Sequence, residues 1–148
     1  MTSFSKEALD QPIHATGGSI TTVENIIKAY EGQVLIIEVW ASWCPDCIKS
    51  LFKVKKFQEK YPEVKFVFFS VDDDEDKWKT GLVKYIDKFE IEGMQYHFKT
   101  GWDNTGDNIF IDEVGLDWIP RYILIGRDGQ ILVDYAKSID DKNILENL

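Results

Sequence analysis

The sequence predicts an α/β fold with a central mixed β-sheet flanked by helices. Two apolar runs, residues 34–40 and 64–71, have the composition of strands covered on both faces. Each run is followed by a segment with apolar residues at helical spacing. A hairpin pattern and a closing helix end the chain, and this succession indicates an α/β sandwich.

The elements before the first buried strand are expected to be short. Residues 1–20 are polar, and we predict an irregular segment with one edge strand near residues 12–15. Residues 21–24 (TTVE) form a capping-box pattern that opens a short helix, and Gly32 ends it.

The centre of the chain alternates between strand and helix. After the 34–40 strand, apolar residues at helical spacing run to Tyr61, and Pro62 stops this helix. A second amphipathic helix follows the 64–71 strand, and residues 95–98 suit a short extra strand.

The last third predicts smaller elements. Residues 103–108 suggest a loop, and residues 109–114 a brief helix. Two strand patterns, 122–125 and 131–135, flank an Arg-Asp-Gly turn. A terminal helix is expected to start at residues 138–141.

Composition fits one domain over residues 1–148. The apolar content of 44% is enough for a proper core in a chain of 148 residues. A net charge of −9 argues against nucleic acid and anionic membrane surfaces as partners, because both need a basic face.

No apolar stretch reaches the roughly 18 residues of a membrane span, so we expect no membrane contact by this chain itself. Residues 1–20 also lack the apolar core of a signal peptide. The chain is therefore expected to be a cytosolic protein or an excised mature domain, and the sequence leaves both open.

Residues 40–47 (WASWCPDC) hold the only two cysteines, directly after a predicted strand and before a predicted helix. A Cys-x-x-Cys in the first helical turn places both sulfurs close enough to bridge. Partial positive charge at the helix N-terminus stabilises the thiolate of Cys44. This pattern predicts a dithiol that attacks another disulfide and then resolves the mixed disulfide from within.

Two other interpretations of the cysteine pair are weaker. A zinc site needs four ligands, and the remaining candidates, His14 and His97, are single and far apart in sequence. A purely structural disulfide would close a very small loop, for which the entropic stabilisation is least.

The chain resembles the thioredoxin superfamily in two features. Trp40, Trp43 and the two cysteines follow an apolar strand, and residues 118–120 (WIP) lead into a hairpin. The long stretch between Val71 and Pro120 has room for the extra strand and helix of the TlpA/ResA-like thiol-disulfide oxidoreductases. The resemblance covers roughly residues 20–148.

This resemblance implies roles for the motif residues. Cys44 is the exposed nucleophile and Cys47 the resolving thiol. Pro120 is a cis-proline that packs against them, and the alternative is a plain strand-entry residue.

The resemblance also implies a substrate-binding surface around the cysteines. The Ile119 backbone pairs with an incoming substrate strand, and Trp43 belongs to the docking surface unless it serves core packing. The substrate-binding residues are expected to be Trp43, Pro45, Trp118, Ile119 and Pro120.

Two acidic residues near the motif have expected effects. Glu38, within the apolar strand, resembles the buried proton acceptor of thioredoxin-like proteins, and the alternative is an exposed glutamate. Asp46, between the cysteines, suits a helix N-terminus and opposes thiolate formation, which favours a reducing protein. Departures from the family pattern are Ser50, where some members carry glutamate, and Arg121, where threonine is common.

The predicted function is a thiol-disulfide oxidoreductase, a reductase of protein disulfides, with no organic cofactor and no metal. Its partners are protein disulfide substrates and an upstream thiol electron donor. The resemblance favours a bacterial periplasm or cell envelope, with the cytoplasm as alternative. Other possibilities are a thiol peroxidase, against which Ala41 counts because peroxiredoxins carry threonine there, and a redox-silent binding module.

Two acidic stretches were weighed as cation sites. Residues 72–76 (DDDED) lead into a helix and are expected to be a solvated cap region. The stretch from Asp103 to Val114 lacks the glycine and glutamate of an EF-hand calcium loop, at Asn108 and Val114.

Overall fold

The computed structural model describes residues 1–102 and 105–148 and contains a seven-stranded mixed sheet. The strands are β1 Pro12–Ala15, β2 Ile20–Thr22, β3 Leu35–Trp40, β4 Lys65–Ser70, β5 Met94–His97, β6 Arg121–Ile125 and β7 Ile131–Ala136. Their order in the sheet is β2-β1-β5-β4-β3-β6-β7. The predicted mixed sheet is confirmed.

Short helices connect these strands. They are α1 Lys6–Leu9, α2 Val23–Lys28, α3 Pro45–Lys49, α4 Leu51–Lys60, α5 Glu75–Gly81, α6 Ile109–Glu113 and α7 Lys142–Glu146, with a π-helical segment Leu82–Asp87 continuing α5. In the described part of the chain, no helix is long and apolar enough to cross a membrane.

Strand β3 lies inside the sheet, between β4 and β6, and all six of its residues are buried. It pairs in parallel with β4 and antiparallel with β6. Because Trp40 lies opposite Ser70 in the parallel pair, β3 and β4 end at the same edge of the sheet. The segments that follow these two strands therefore meet at this edge, and one of them carries the cysteines.

The prediction of an irregular N-terminal segment was wrong. Residues 1–20 contain α1 and β1 and include the first residue of β2. Strand β1 was predicted as an edge strand, but it lies between β2 and β5. A segment with so few apolar residues gives a weak strand signal, because its order depends on pairing with distant strands.

The helix after the cysteines is divided at Ser50 into α3 and α4. Helical spacing predicted one element, since a break of one residue leaves the apolar positions nearly in phase. The predicted helix after β4 is likewise divided into α5 and the π-helical segment.

The insertion expected before Pro120 is present. Between β4 and Pro120 the chain forms α5, the π-helical segment, β5 and α6. Helix α7 begins after its N-cap Asp141, at the end of the predicted start region. The rejected calcium loop includes Asp103 and Asn104, which lie outside the described residues.

Candidate functional site

The two cysteines form a disulfide at the N-terminus of α3, with a Cα–Cα distance of 5.2 Å. Cys44 is the N-cap, and its Sγ accepts a hydrogen bond of 3.1 Å from the backbone N–H of Cys47. Pro45 is the first residue of α3, where its missing N–H leaves no donor unpaired. A thiolate on Cys44 would receive the same hydrogen bond, which stabilises the charged form.

The two sulfurs differ in their access to solvent. Cys44 keeps 4% of its surface accessible, and Cys47 is fully buried. The expectation of an exposed Cys44 was wrong, since Cys44 is nearly as buried as its partner in the disulfide. Cys44 is still the more accessible partner, as an attacking thiol requires.

The peptide bond between Ile119 and Pro120 is cis, as the resemblance implied. The carbonyl oxygen of Ile119 lies 3.7 Å from Cys44 Sγ. Both residues are buried, whereas the preceding Trp118 is 43% exposed. The loop before β6 therefore places a backbone group directly beside the disulfide and a large aromatic side chain at the surface.

Arg121 holds this loop in place from inside the protein. Its buried guanidinium donates to the carbonyl oxygens of Val114 (2.8 Å) and Gly115 (3.0 Å) and to Asp117 Oδ1 (3.1 Å). Hydrogen bonds from the Tyr135 hydroxyl and from Arg121 lower the pKa of the Asp117 carboxyl. From the sequence, Arg121 stands out only as a departure from the family pattern.

Asp72 fixes the segment that leads into the cysteines. Its buried carboxylate accepts hydrogen bonds from the backbone N–H of Ser42 (3.0 Å), from Ser42 Oγ (2.7 Å) and from Ser70 Oγ (2.6 Å). The prediction that Asp72 belongs to a solvated cap region was wrong, although Asp74 does cap α5. The parallel register could have revealed this contact, since Ser42 and Asp72 each follow their strand by two residues.

Glu38 is fully buried in β3, directly opposite Tyr122 of β6. Neither of its carboxyl oxygens has a hydrogen-bond partner among the described residues. Burial raises the pKa of Glu38 to about 8, although the Tyr122 hydroxyl offsets part of the rise. The alternative of an exposed strand residue is therefore wrong.

The Tyr122 hydroxyl connects this interior to the junction between α3 and α4. It lies 3.4 Å from Ser50 Oγ, which in turn donates to the carbonyl oxygen of Cys47 at 2.9 Å. Ser50 is only partly buried. A chain of polar groups thus runs from Tyr122 through Ser50 to the backbone of Cys47, and Glu38 is the cross-strand neighbour of Tyr122 at its inner end.

Two exposed aromatic regions lie near the disulfide. Trp43, 55% exposed, stacks on Trp102 with ring centroids 6.4 Å apart. Trp118 and Pro120 instead line a separate groove with residues of α3 and α4. The structure therefore places Trp43 in one region and Trp118 and Pro120 in the other, and no sequence pattern pointed to Trp102.

Among the described residues, no group of three or more histidine, cysteine or acidic side chains could hold a metal ion. His14 and His97, far apart in sequence, lie opposite each other on β1 and β5. His97 Nε2 is 2.8 Å from the carbonyl oxygen of Asp72, and the His97 ring stacks on Trp78.

Solved structures show similar folds. A proposed thiol-disulfide oxidoreductase from Bacteroides vulgatus aligns with a TM-score of 0.72 and 27% identity, covering 98% of this chain and 88% of that one. A thiol-disulfide oxidoreductase from Bacteroides fragilis aligns with a TM-score of 0.70 and 20% identity over 96% of both chains.

Sequence comparison gives the same picture. Two relatives, both named thiol-disulfide oxidoreductase ResA, from Bacillus thuringiensis and Bacillus cereus, are 22% identical over 120 residues. These cover 81% of this chain but only 64% of the relatives' length. The family model described as thioredoxin-like matches residues 32–131, more than half of the chain. The chain belongs to the thioredoxin-like family.

Proposed function

We propose that this chain is a thiol-disulfide oxidoreductase that reduces protein disulfides through Cys44 and Cys47. The observation that carries the proposal is the disulfide itself, whose more accessible sulfur lies beside the backbone of the cis-proline loop. The names of the relatives agree with it. We treat residues 1–148 as one domain.

The reaction follows from the two unequal sulfurs. In the reduced protein, the Cys44 thiolate attacks a substrate disulfide, whose S–S bond breaks as a mixed disulfide forms and one substrate thiolate leaves. Cys47 then loses its proton and attacks Cys44 Sγ, which releases the second substrate thiolate. Two electrons pass to the substrate, and the Cys44–Cys47 disulfide described here is the product.

Return to the dithiol needs an external dithiol donor. One donor thiolate attacks Cys44 and displaces Cys47 as a thiolate, and the second donor thiol then attacks the donor sulfur of this mixed disulfide and releases Cys44, so that the donor leaves as a disulfide. The reaction uses no organic cofactor and no metal, since the two sulfurs carry both electrons. We propose that the substrate contacts five residues around Cys44, namely Trp43, Pro45, Trp118, Ile119 and Pro120.

Glu38 is the proposed proton donor and acceptor for Cys47. With a pKa of about 8, its carboxyl is mostly protonated at pH 7 and can supply the proton that a departing Cys47 thiolate needs. The resulting buried carboxylate is costly, so it readily takes the proton back when Cys47 attacks the mixed disulfide.

Asp46 bears on the direction of the reaction. Its exposed charge, one residue before Cys47, disfavours the thiolates and so makes the disulfide harder to reduce. We expect a reduction potential nearer the ~−270 mV of thioredoxin than the ~−120 mV of strong oxidants. Asp46→Asn should raise it, and a wild-type value near the oxidising end would contradict the reductase assignment.

Two parallel assays test the function itself. The wild-type protein with a dithiol donor should reduce a protein disulfide, and Cys44→Ser should abolish this. A peroxide-consumption assay distinguishes the thiol peroxidase, and inactivity in both assays would indicate a redox-silent binding module. The compartment is proposed to be the cell envelope, with the cytoplasm as alternative, and fractionation of the native host would decide it.

A further inference from the structure

A groove of about 430 Å³ lies between the start of the α3–α4 region and the cis-proline loop. Pro120 and Ser50 lie in its lining, so the groove adjoins the segment that carries the disulfide. Two exposed aromatic side chains, Trp118 and Phe52, give it apolar surface. Although helical spacing predicts Phe52 on the apolar face of its helix, the side chain is 55% exposed.

The charge of this groove is opposite to that of the chain. Its lining contains three lysines, Lys49, Lys53 and Lys137, but only one acidic residue, Asp46. The lining residues alone carry an excess of two positive charges, and Asp140 beside Lys53 reduces the local excess to one, on a chain whose net charge is −9. A local excess of positive charge attracts an acidic group in a docked segment, because salt screens acidic groups of this chain that lie farther away than roughly 8 Å at physiological ionic strength.

Two of the three lysines are available to a ligand. Lys53 Nζ lies 3.6 Å from Asp140, whereas Lys49 and Lys137 form no ion pair within the described residues. Lys137 Nζ lies 5.1 Å from the centroid of the Trp118 ring. This cation–π contact places an unpaired charge next to an exposed apolar surface, so one ligand segment could contact both.

We propose that this groove binds an extended segment of the substrate protein in which an acidic side chain lies next to an apolar one. The acidic group would bind Lys49 and Lys137, and the apolar group would pack on Trp118 and Phe52. This inference rests on the proposed function and names its substrate class, namely proteins that carry an acidic residue a few positions away from their reactive cysteine.

Asp46 limits where the acidic side chain can lie. Because Asp46 lies between the two cysteines, it disfavours a substrate carboxylate beside the reacting sulfur. The favoured position is therefore displaced from the reactive cysteine, toward Lys49 and Lys137. Such contacts act mainly on association and on partner choice, and they weaken with salt.

The test compares matched disulfide-containing peptides that carry glutamate, glutamine or lysine a few positions before or a few positions after the reacting cysteine. The protein variant Lys49→Gln/Lys137→Gln is compared with Lys88→Gln/Lys99→Gln. The control removes the same charge at two exposed lysines outside the groove. Hydroxyethyl disulfide, which is small and neutral, measures the chemistry without the groove.

Wild-type kcat/KM should be about five- to tenfold higher for the better glutamate peptide than for its lysine counterpart at low salt. The Lys49/Lys137 variant should reduce this preference to within about twofold, while the control keeps it. High salt should also remove it. Equal rates on both peptides at low salt, or equal loss in the control, would overturn the inference.

The preference is the ratio of the two peptide rates within one variant, so any change in the chemistry at Cys44, measured with hydroxyethyl disulfide, cancels from it. Failure of the wild-type protein with this substrate would count against the proposed function, whereas activity without a charge preference would overturn only the groove proposal.

Discussion

Two buried carboxyl groups on neighbouring strands have opposite surroundings. Asp72, just after β4, accepts hydrogen bonds from Ser42 and Ser70, whereas Glu38 in β3 has no hydrogen-bond partner among the described residues. A buried charge is tolerated when it is fully hydrogen bonded, and an unpartnered carboxyl protonates instead. The first arrangement suits the holding of a loop, and the second suits the transfer of a proton.

The largest expected effect is on stability and concerns Asp72. Asp72→Ala would leave the donors of Ser42 and Ser70 without their acceptor, so the free energy of unfolding should fall by roughly 3 kcal/mol or more. Urea unfolding measures this. The exposed neighbour Asp73 supplies the control, since Asp73→Ala should change stability by no more than about 0.5 kcal/mol. Similar small losses in both variants would show that Asp72 does not hold the loop.

The next prediction concerns the pH dependence that Glu38 confers. A folded pKa of about 8, above the ordinary value of 4.5, means that the native state binds more protons than the unfolded chain. The stability contribution of Glu38 is therefore complete below pH 4.5, is lost as pH rises and levels off above pH 8. Between pH 5 and pH 8 this loss amounts to roughly 3–4 kcal/mol at 1.36 kcal/mol per unit.

Glu38→Gln should remove this loss, because glutamine does not titrate. The stability of the variant relative to wild type should therefore increase as the pH rises from 5 to 8. Urea midpoints at both pH values measure the gain, and Glu31→Gln, at an exposed position, should leave the wild-type dependence unchanged. Glu38→Gln should also slow disulfide reduction, because Cys47 loses its proton partner. An unchanged pH dependence together with an unchanged rate would remove Glu38 from the mechanism.

A smaller effect is expected for the Tyr122 hydroxyl, which lowers the pKa of Glu38. Tyr122→Phe should raise this pKa further, so that the loss of stability with pH ends at a higher pH than in wild type. Unfolding across a pH series measures the shift. Ser50→Ala removes the hydroxyl that lies beside the Tyr122 hydroxyl. It should leave nearly unchanged the pH at which the loss of stability ends. If the loss of stability ended at the same pH in Tyr122→Phe and in wild type, the Tyr122 hydroxyl would not affect the pKa of Glu38.

The sequence predicted the sheet and the redox pair because both depend on local signals. Strands β3 and β4 are mostly apolar runs, and the two cysteines lie within one helical turn. Glu38 was also found from sequence, because a lone acid in a buried strand is unusual.

The supporting contacts were not predicted, because they join residues far apart in the chain. Asp72 and Ser42 meet only through the parallel pairing of β3 with β4. Tyr122 faces Glu38 only through the antiparallel pairing of β3 with β6. Arg121 is buried, whereas arginine is usually exposed, so its residue type predicted the wrong location.

The most direct test of the central claim is to trap the mixed disulfide in the two single-cysteine variants. Cys47→Ser should accumulate a stable mixed disulfide with a protein substrate through Cys44, since no second thiol remains to resolve it. Cys44→Ser should trap far less, because Cys47 is fully buried. Mass spectrometry of the non-reduced proteins quantifies both adducts. Predominant trapping by Cys47→Ser is the predicted result, and equal trapping, or more through Cys47, would contradict the assignment of Cys44 as the attacking thiol.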